Sequence, residues 1–210
     1  MKRIALLLSA ACFVVSAGGC AEYYHLQGLR KVKAMYDPAG RTMLIIPFKD
    51  PIFDYFESSE GCSIAVCAGD YIARHRITPV LYEGFFPEKV KAAYGEQKAD
   101  FYEALKAAAR AAESELVLVG QINEIHDGNP QDVGVIKGSM FISAQLYDMK
   151  ADARPVWYMR REKIIYPEGL AYQAGVPATD MTRAELRHKM LVKAGETIGK
   201  AFRDHLEPIK

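Results

Sequence analysis

The stretch from residue 116 to residue 166 constrains the fold most. Leu116-Val-Leu-Val119 is a continuous apolar run, as a strand buried on both faces requires, and the segment extends through Gly120 to Ile125. Asp127-Gly128-Asn129-Pro130 then marks a turn. Ile136, Gly138, Met140, Ile142, Ala144 and Leu146 alternate with Lys137, Ser139, Ser143 and Gln145, so the next strand has one dry face and one wetter face available to a partner. After a second turn, Met149 to Arg154, a third long strand is expected from Pro155 to Tyr166. Its Arg160-Arg-Glu-Lys163 run marks an exposed portion or a sheet edge guarded by charge. Three strands joined in this way form an antiparallel meander, and apolar segments elsewhere must cover it.

Those segments are readable on both sides. Thr42-Met-Leu-Ile-Ile-Pro-Phe48 is a compact apolar run closed by proline, a buried strand, and Ile77 to Tyr82 is a second short strand. Between them Cys62 to His75 is helical, with Ile64, Ala65, Ala68 and Ile72 as its packing residues. Gly84, Pro87 and Gly95 mark a long connection with one helical turn after Pro87. In Asp100 to Glu113, Phe101, Leu105, Ala108 and Ala112 recur at steps of three and four, which places them on one helical stripe. A final helix starts near Thr182, whose spacing to Glu185 is that of a capping box, and carries Leu186, Met190, Ala194, Ile198 and Phe202 at steps of four. The fold class is therefore α/β: one domain over residues 42–210, with a mixed sheet of about five strands in the order strand, helix, strand, helix, three-strand antiparallel meander, helix.

The amino-terminal segment has a different character. Lys2 and Arg3 precede an apolar run from Ile4 to Val15 and the small residues Ser16 to Gly19, the three parts of an export signal. A run of twelve residues is too short for a helix that crosses a hydrocarbon core, which takes about 20. Residues 1–19 are read as a removable signal peptide and residues 20–41 as a tether. Removal takes Lys2 and Arg3 from 27 basic residues and nothing from 26 acidic ones, leaving 25 against 26 and a formal charge of −1. That balance gives no reason to expect a nucleic-acid partner, which needs a concentrated basic surface.

Ala17-Gly18-Gly19-Cys20 resembles the lipobox of bacterial lipoproteins, with Ala17 where that family usually has a larger aliphatic residue. The resemblance implies acylation of Cys20 and attachment to a membrane by lipid. Each buried methylene contributes about 0.8 kcal/mol, so several acyl chains anchor far more firmly than one. Ala21 stands where the enteric sorting pattern has an aspartate for inner-membrane retention. By that resemblance the protein is expected at the outer membrane, facing the periplasm.

Catalytic signatures are absent from the sequence. The histidines His25, His75, His126, His188 and His205 show no ligand spacing, and no nucleophile elbow or phosphate-binding glycine loop occurs. No metal, cofactor or enzymatic activity is expected. Cys62 and Cys67 are five residues apart, which would point them about 140° apart on one helix, and they are read as two small, partly buried residues rather than a redox pair. The acidic pairs Asp50 and Asp54, and Glu57 and Glu60, read as a solvated loop surface.

Pro47-Phe48, Leu116-Val-Leu-Val-Gly120 and above all Gln145-Leu-Tyr-Asp148 followed by Val156-Trp157 are similar to motifs of small lipoproteins whose domain resembles the amino-terminal domain of TolB. That superfamily includes the curli-secretion lipoprotein and a lipoprotein activator of peptidoglycan synthases. The resemblance spans most of residues 42–206, although Met149 to Arg154 lacks the glycine usual at that turn. Asp148 is expected as a turn residue and Trp157 as a core anchor.

The function expected is that of a non-catalytic adaptor or accessory lipoprotein binding another envelope protein, with a secretion-apparatus subunit or a peptidoglycan-synthase regulator as the alternative. The candidate surface is the loop carrying Phe53, Tyr55 and Phe56 among Asp50, Asp54 and Glu57. Two readings of it stand: a partner-binding surface, or a lid folded back over the sheet. A pore would need additional hairpins of about 9 to 11 residues per strand. A wall-synthase regulator would need reach, and the 21 residues from Ala21 to Arg41 extend at most roughly 70–75 Å.

Overall fold

The computed structural model of the protein describes residues 40–80, 87–128, 134–177 and 180–206. The signal segment 1–19, Cys20 and the tether as far as Ala39 lie outside the described residues, as do Leu81 and Tyr82 of the expected second strand and Asn129-Pro130 of the expected turn. In chain order the elements are β1 (Met43–Ile45), α1 (Ser59–Arg74), α2 (Glu88–Glu96), α3 (Phe101–Ala112), β2 (Leu116–His126), β3 (Val135–Ile136), β4 (Gly138–Asp148), β5 (Arg154–Tyr166), α4 (Leu170–Ala174), β6 (Val176–Pro177) and α5 (Arg183–Leu206).

The expected meander is present. β2, β4 and β5 pair antiparallel in the order β1-β2-β4-β5, with β1 parallel to β2, and β3 pairs with β6 in a separate two-stranded sheet. β5 is the edge strand that its charged run implied. Of the second expected strand, the described residues 77–80 make one parallel bridge, Met43 with Val80, with Met43 N donating to Pro79 O. Pro79 has no N–H to offer a longer ladder.

Alternation sends side chains of β1, β2 and β4 to two separate cores. Met43, Ile45, Leu116, Leu118, Ile122, Met140, Ile142, Leu146 and Trp157 pack under α1 and α5. Leu44, Ile46, Val117, Val119 and Tyr147 pack under α2 and α3. This is why β1 and the start of β2 are apolar without a period, while β4 alternates. On α5, Leu186, Met190, Ala194, Ile198 and Phe202 are all buried, and the Phe202 ring meets Trp157 edge-on at 5.6 Å. Thr182 N donates to the Glu185 carboxylate at 2.6 Å and Glu185 N donates to Thr182 Oγ1 at 3.2 Å, the reciprocal capping box.

Two helices exceed their expected lengths. α1 begins at Ser59 rather than Cys62, because Ser58 caps it by accepting from Gly61 N at 2.9 Å. The turn after Pro87 continues as nine residues of α2, held by the buried pair Val90 and Tyr94 one turn apart. Cys62 and Cys67 both lie within α1 as free thiols, and burial pushes both above the ordinary thiol range.

Close approach depends on four glycines. A Cβ on Gly120 would stand 2.0 Å from the fully buried Phe48 ring, and one on Gly61 1.8 Å from Phe48 O. On α5, Gly195 and Gly199 admit Cys67 and Tyr71 of α1 at distances that no side chain would allow. Pro47-Phe48 and Leu116–Gly120, two of the segments singled out in the sequence, thus meet through the Phe48 ring at Gly120.

Arg41, assigned by sequence to the end of the tether, is fastened into the domain. Its guanidinium donates to both Asp148 oxygens at 2.8 and 2.5 Å and to Glu115 Oε2 at 2.9 Å, and its carbonyl accepts from Thr78 Oγ1. Asp148 also accepts from Lys150 N at 2.9 Å, as a turn residue does. The Arg41 hydrogen bond is the main cause holding the Asp148 carboxyl below its ordinary value, against burial.

Gly120→Ala is expected to lower stability by about 1–3 kcal/mol through overpacking. Gly95→Ala, in α2 with open space around it, should be neutral or stabilising. Urea midpoints compare the two, and Phe48→Leu should offset part of the Gly120→Ala loss. A carboxyl with a depressed folded value stabilises above its unfolded value, about 3.9, and loses that contribution as pH falls through the folded one. Arg41→Met should therefore cost about 2–4 kcal/mol at pH 7, with the gap from wild type closing as pH falls below about 4 in urea titrations.

Candidate functional site

Asp50-Pro51-Ile52-Phe53 has the residue preferences of a tight turn, aspartate first and proline second. Asp50 is 8% exposed, and its Oδ1 accepts from Ile52 N at 2.7 Å and Phe53 N at 2.6 Å, while its own N–H donates to Phe53 O at 3.1 Å. Burial alone would raise its carboxyl. The Ser58 hydroxyl and the two backbone N–H groups outweigh burial and hold it below the ordinary range. Ser58 also caps α1, so turn and helix share one buried anchor.

Locking the backbone inward turns side chains outward: Ile52 is 84% and Phe53 50% exposed. Beside them lies a cleft of about 260 Å³ formed with Ser59, Glu60, Ile125 and Arg187. Arg187 reaches Glu60 Oε2 at 2.9 Å and Asp127 Oδ2 at 3.0 Å, and the Glu60 bond is the main cause raising its basicity. The result is an apolar lip over a floor of paired charges.

Tyr55 and Phe56 go the other way. Tyr55 lies 5.9 Å from Tyr94 and 6.1 Å from Phe101, ring centre to ring centre, and Phe56 lies 5.2 Å from Tyr94. Both are half-buried against the α2–α3 core, and burial raises the Tyr55 hydroxyl. Phe56 holds φ at 68°, a conformation costing a bulky residue about 1–3 kcal/mol, which the ring's packing sustains. Of the three aromatics expected at a partner surface, Phe53 faces solvent, whereas Tyr55 and Phe56 form the lid. Ile52 was missed, and the Asp50-Pro51 turn was the sequence signal for it.

Asp54 and Glu60 of the acidic pairs are held by cations, two of which come from outside the loop. Asp54 meets Lys98 at 3.0 Å and Lys49 at 3.8 Å and accepts from Tyr55 N, and Glu60 holds Arg187. Among the described residues no group of three or more His, Cys, Asp or Glu side chains could hold a metal ion.

Fold and site define an α/β domain that presents an ordered apolar turn beside a cleft. No family model and no curated protein matches the chain. Among solved structures it is similar to the PelC dodecamer from Paraburkholderia phytofirmans, at 13% identity over 80% of this chain and 94% of that one, with a TM-score of 0.44. It is also similar to the hypothetical protein CT253 from Chlamydia trachomatis, at 10% identity over 79% and 97% with a TM-score of 0.46. A third is lipoprotein GNA1162 from Neisseria meningitidis, at 14% identity over 73% and 94% with a TM-score of 0.41.

Asp50→Ala should speed hydrogen exchange at the Ile52 and Phe53 amides and cost about 1–3 kcal/mol, whereas Asp50→Asn, which keeps an acceptor oxygen, should lose less. Equal amide protection in the alanine variant would refute the anchoring role.

Proposed function

We propose that this chain is a non-catalytic, lipid-anchored accessory protein of the cell envelope that binds another envelope protein through the Ile52-Phe53 turn. The observation that carries the reading is that two large apolar side chains are held in solvent by a backbone locked from beneath. A preorganised apolar lip loses little freedom on binding, and apolar anchors with a polar surround are what protein interfaces use. The lipobox-like Ala17–Cys20 segment supports lipid attachment at Cys20, and Ala21 favours the outer membrane with the domain in the periplasm. No helix of the described residues is long and apolar enough to cross a membrane.

The adaptor reading is favoured over a pore-forming subunit because the long strands β2, β4 and β5 pair with one another and bury their inner faces under α1 and α5. They are committed to the domain's own core.

A photocrosslinker at position 53 in intact cells should yield a discrete adduct with one envelope protein. The double variant Ile52→Ser with Phe53→Ser should remove that partner from co-purification while stability stays within about 0.5 kcal/mol of wild type. A folded double variant that keeps the partner would rule the turn out. Cys20→Ala should release the protein from membranes.

A further inference from the structure

α2 and α3 cover only half of the sheet's second face. Beyond Val119 and Tyr147 the same face carries Gln121, Ser143, Gln145, Tyr158 and Arg160, and there a cleft of about 250 Å³ opens, walled by the Tyr55 and Phe101 rings. This is separate from the Ile52-Phe53 turn.

β5 is irregular at this place in a way that concentrates charge. Ala144 pairs with Met159 and Ile142 with Glu162, so Ser143 faces two residues, Arg160 and Arg161, in a β-bulge. A regular strand would send successive side chains to opposite faces. Here Arg160 lines the cleft while the Arg161 guanidinium stands 4.8 Å above the Phe141 ring, on the same face, because Phe141 and Ser143 are two residues apart on β4. Arg161 takes φ at 34°, and its N–H donates to Ser143 Oγ, which in turn donates to Asn123 Oδ1 at 2.8 Å, so side chains satisfy the bulge. Lys163 adds a third cation 5.7 Å from Phe141. Arg161 is neutralised by Glu124 at 3.0 Å. No carboxylate among the described residues pairs with Arg160 or Lys163, and the Arg160 guanidinium rests 5.2 Å over the Tyr158 ring.

An exposed arginine braced on an aromatic ring at an aromatic-walled cleft fits a carboxylate bidentately. We propose that this open half-face is a second docking site, taking an acidic, extended segment of a partner protein, with a carboxylate on Arg160 and an apolar side chain between Tyr55, Phe101 and Tyr158. Charge complementarity selects the occupant: among the described residues the half-face has two cations with no carboxylate partner, Arg160 and Lys163, beside apolar walls, and the exposed Gln121 amide suits a peptide backbone.

The test uses the mature full chain in detergent and a fluorescein-labelled heptapeptide of alternating aspartate and tyrosine, read by anisotropy, with a lysine-for-aspartate twin. The acidic peptide should bind and the twin should not. Arg160→Glu should weaken binding about tenfold, as should Gln145→Glu, which places a like charge in the cleft. Arg74→Glu, an equal change of net charge on α1 across the sheet, should leave binding unchanged. The proposal is overturned by any of four results: no binding of the acidic peptide, an equal loss in Arg74→Glu, binding only to phosphatidylethanolamine vesicles that contain phosphatidylglycerol, or an Arg160→Glu effect confined to self-association. The crosslink from position 53 is independent of each of these.

Discussion

The Phe48 side chain and backbone hold three elements in register. Its ring occupies the hollow above Gly120 in β2, its N–H donates to Gly61 O at the start of α1, and the next residue, Lys49, donates to Gly120 O. β1 is only three residues long, too short to fix its own pairing, and Pro47 interrupts its ladder. The parallel alignment of β1 with β2 therefore depends on a ring fitting where one strand has no side chain. The same fit sets the position of α1, since a Cβ at Gly61 would collide with the Phe48 carbonyl. One more residue, Lys49, stays paired to β2 through Gly120 and Ile122, and the Asp50 turn then carries the chain off the sheet.

The two faces of the sheet have unequal cover, and that inequality creates both surfaces of interest. α1 and α5 seal one face through a crossing tightened by Gly195 and Gly199. α2 and α3 reach only as far as Val119 and Tyr147 on the other, and the Tyr55-Phe56 lid closes the margin of that core. Because the lid residues turn inward, Ile52 and Phe53 at the start of the same loop are left outward, and the remaining half of the face stays open above Ser143 and Gln145. Arg41 completes the frame at the opposite end of the strands, joining the chain's entry to the start of β2 and the end of β4 through Glu115 and Asp148.

Much of this architecture was legible in the amino-acid order because its signals are local. The meander follows from periods of two, α3 and α5 from steps of three and four, and the α5 start from Thr182 and Glu185. Each depends on neighbours within one turn or one strand. The misjudged places share a different cause. α2 grew from one turn to nine residues by packing Tyr94 against Tyr55 and Phe56, and Arg41 is held by Glu115 and Asp148, all partners that are far away in sequence.

The candidate site divides along the same line. Sequence by itself determined that the chain builds an α/β domain around a meander, that β5 carries charge at an edge, and that an aromatic loop follows β1, since composition and period act over a few residues. Only the tertiary structure decided which of Phe53, Tyr55 and Phe56 faces solvent and that Arg160 and Arg161 share a face. A side chain's exposure is set by what packs against it, and here Tyr94 and Phe101 come from helices some 40 residues downstream of the loop. The doubling of arginines depends on a one-residue slip in the pairing of β5 with β4, and a strand's register exists only once its partner is in place.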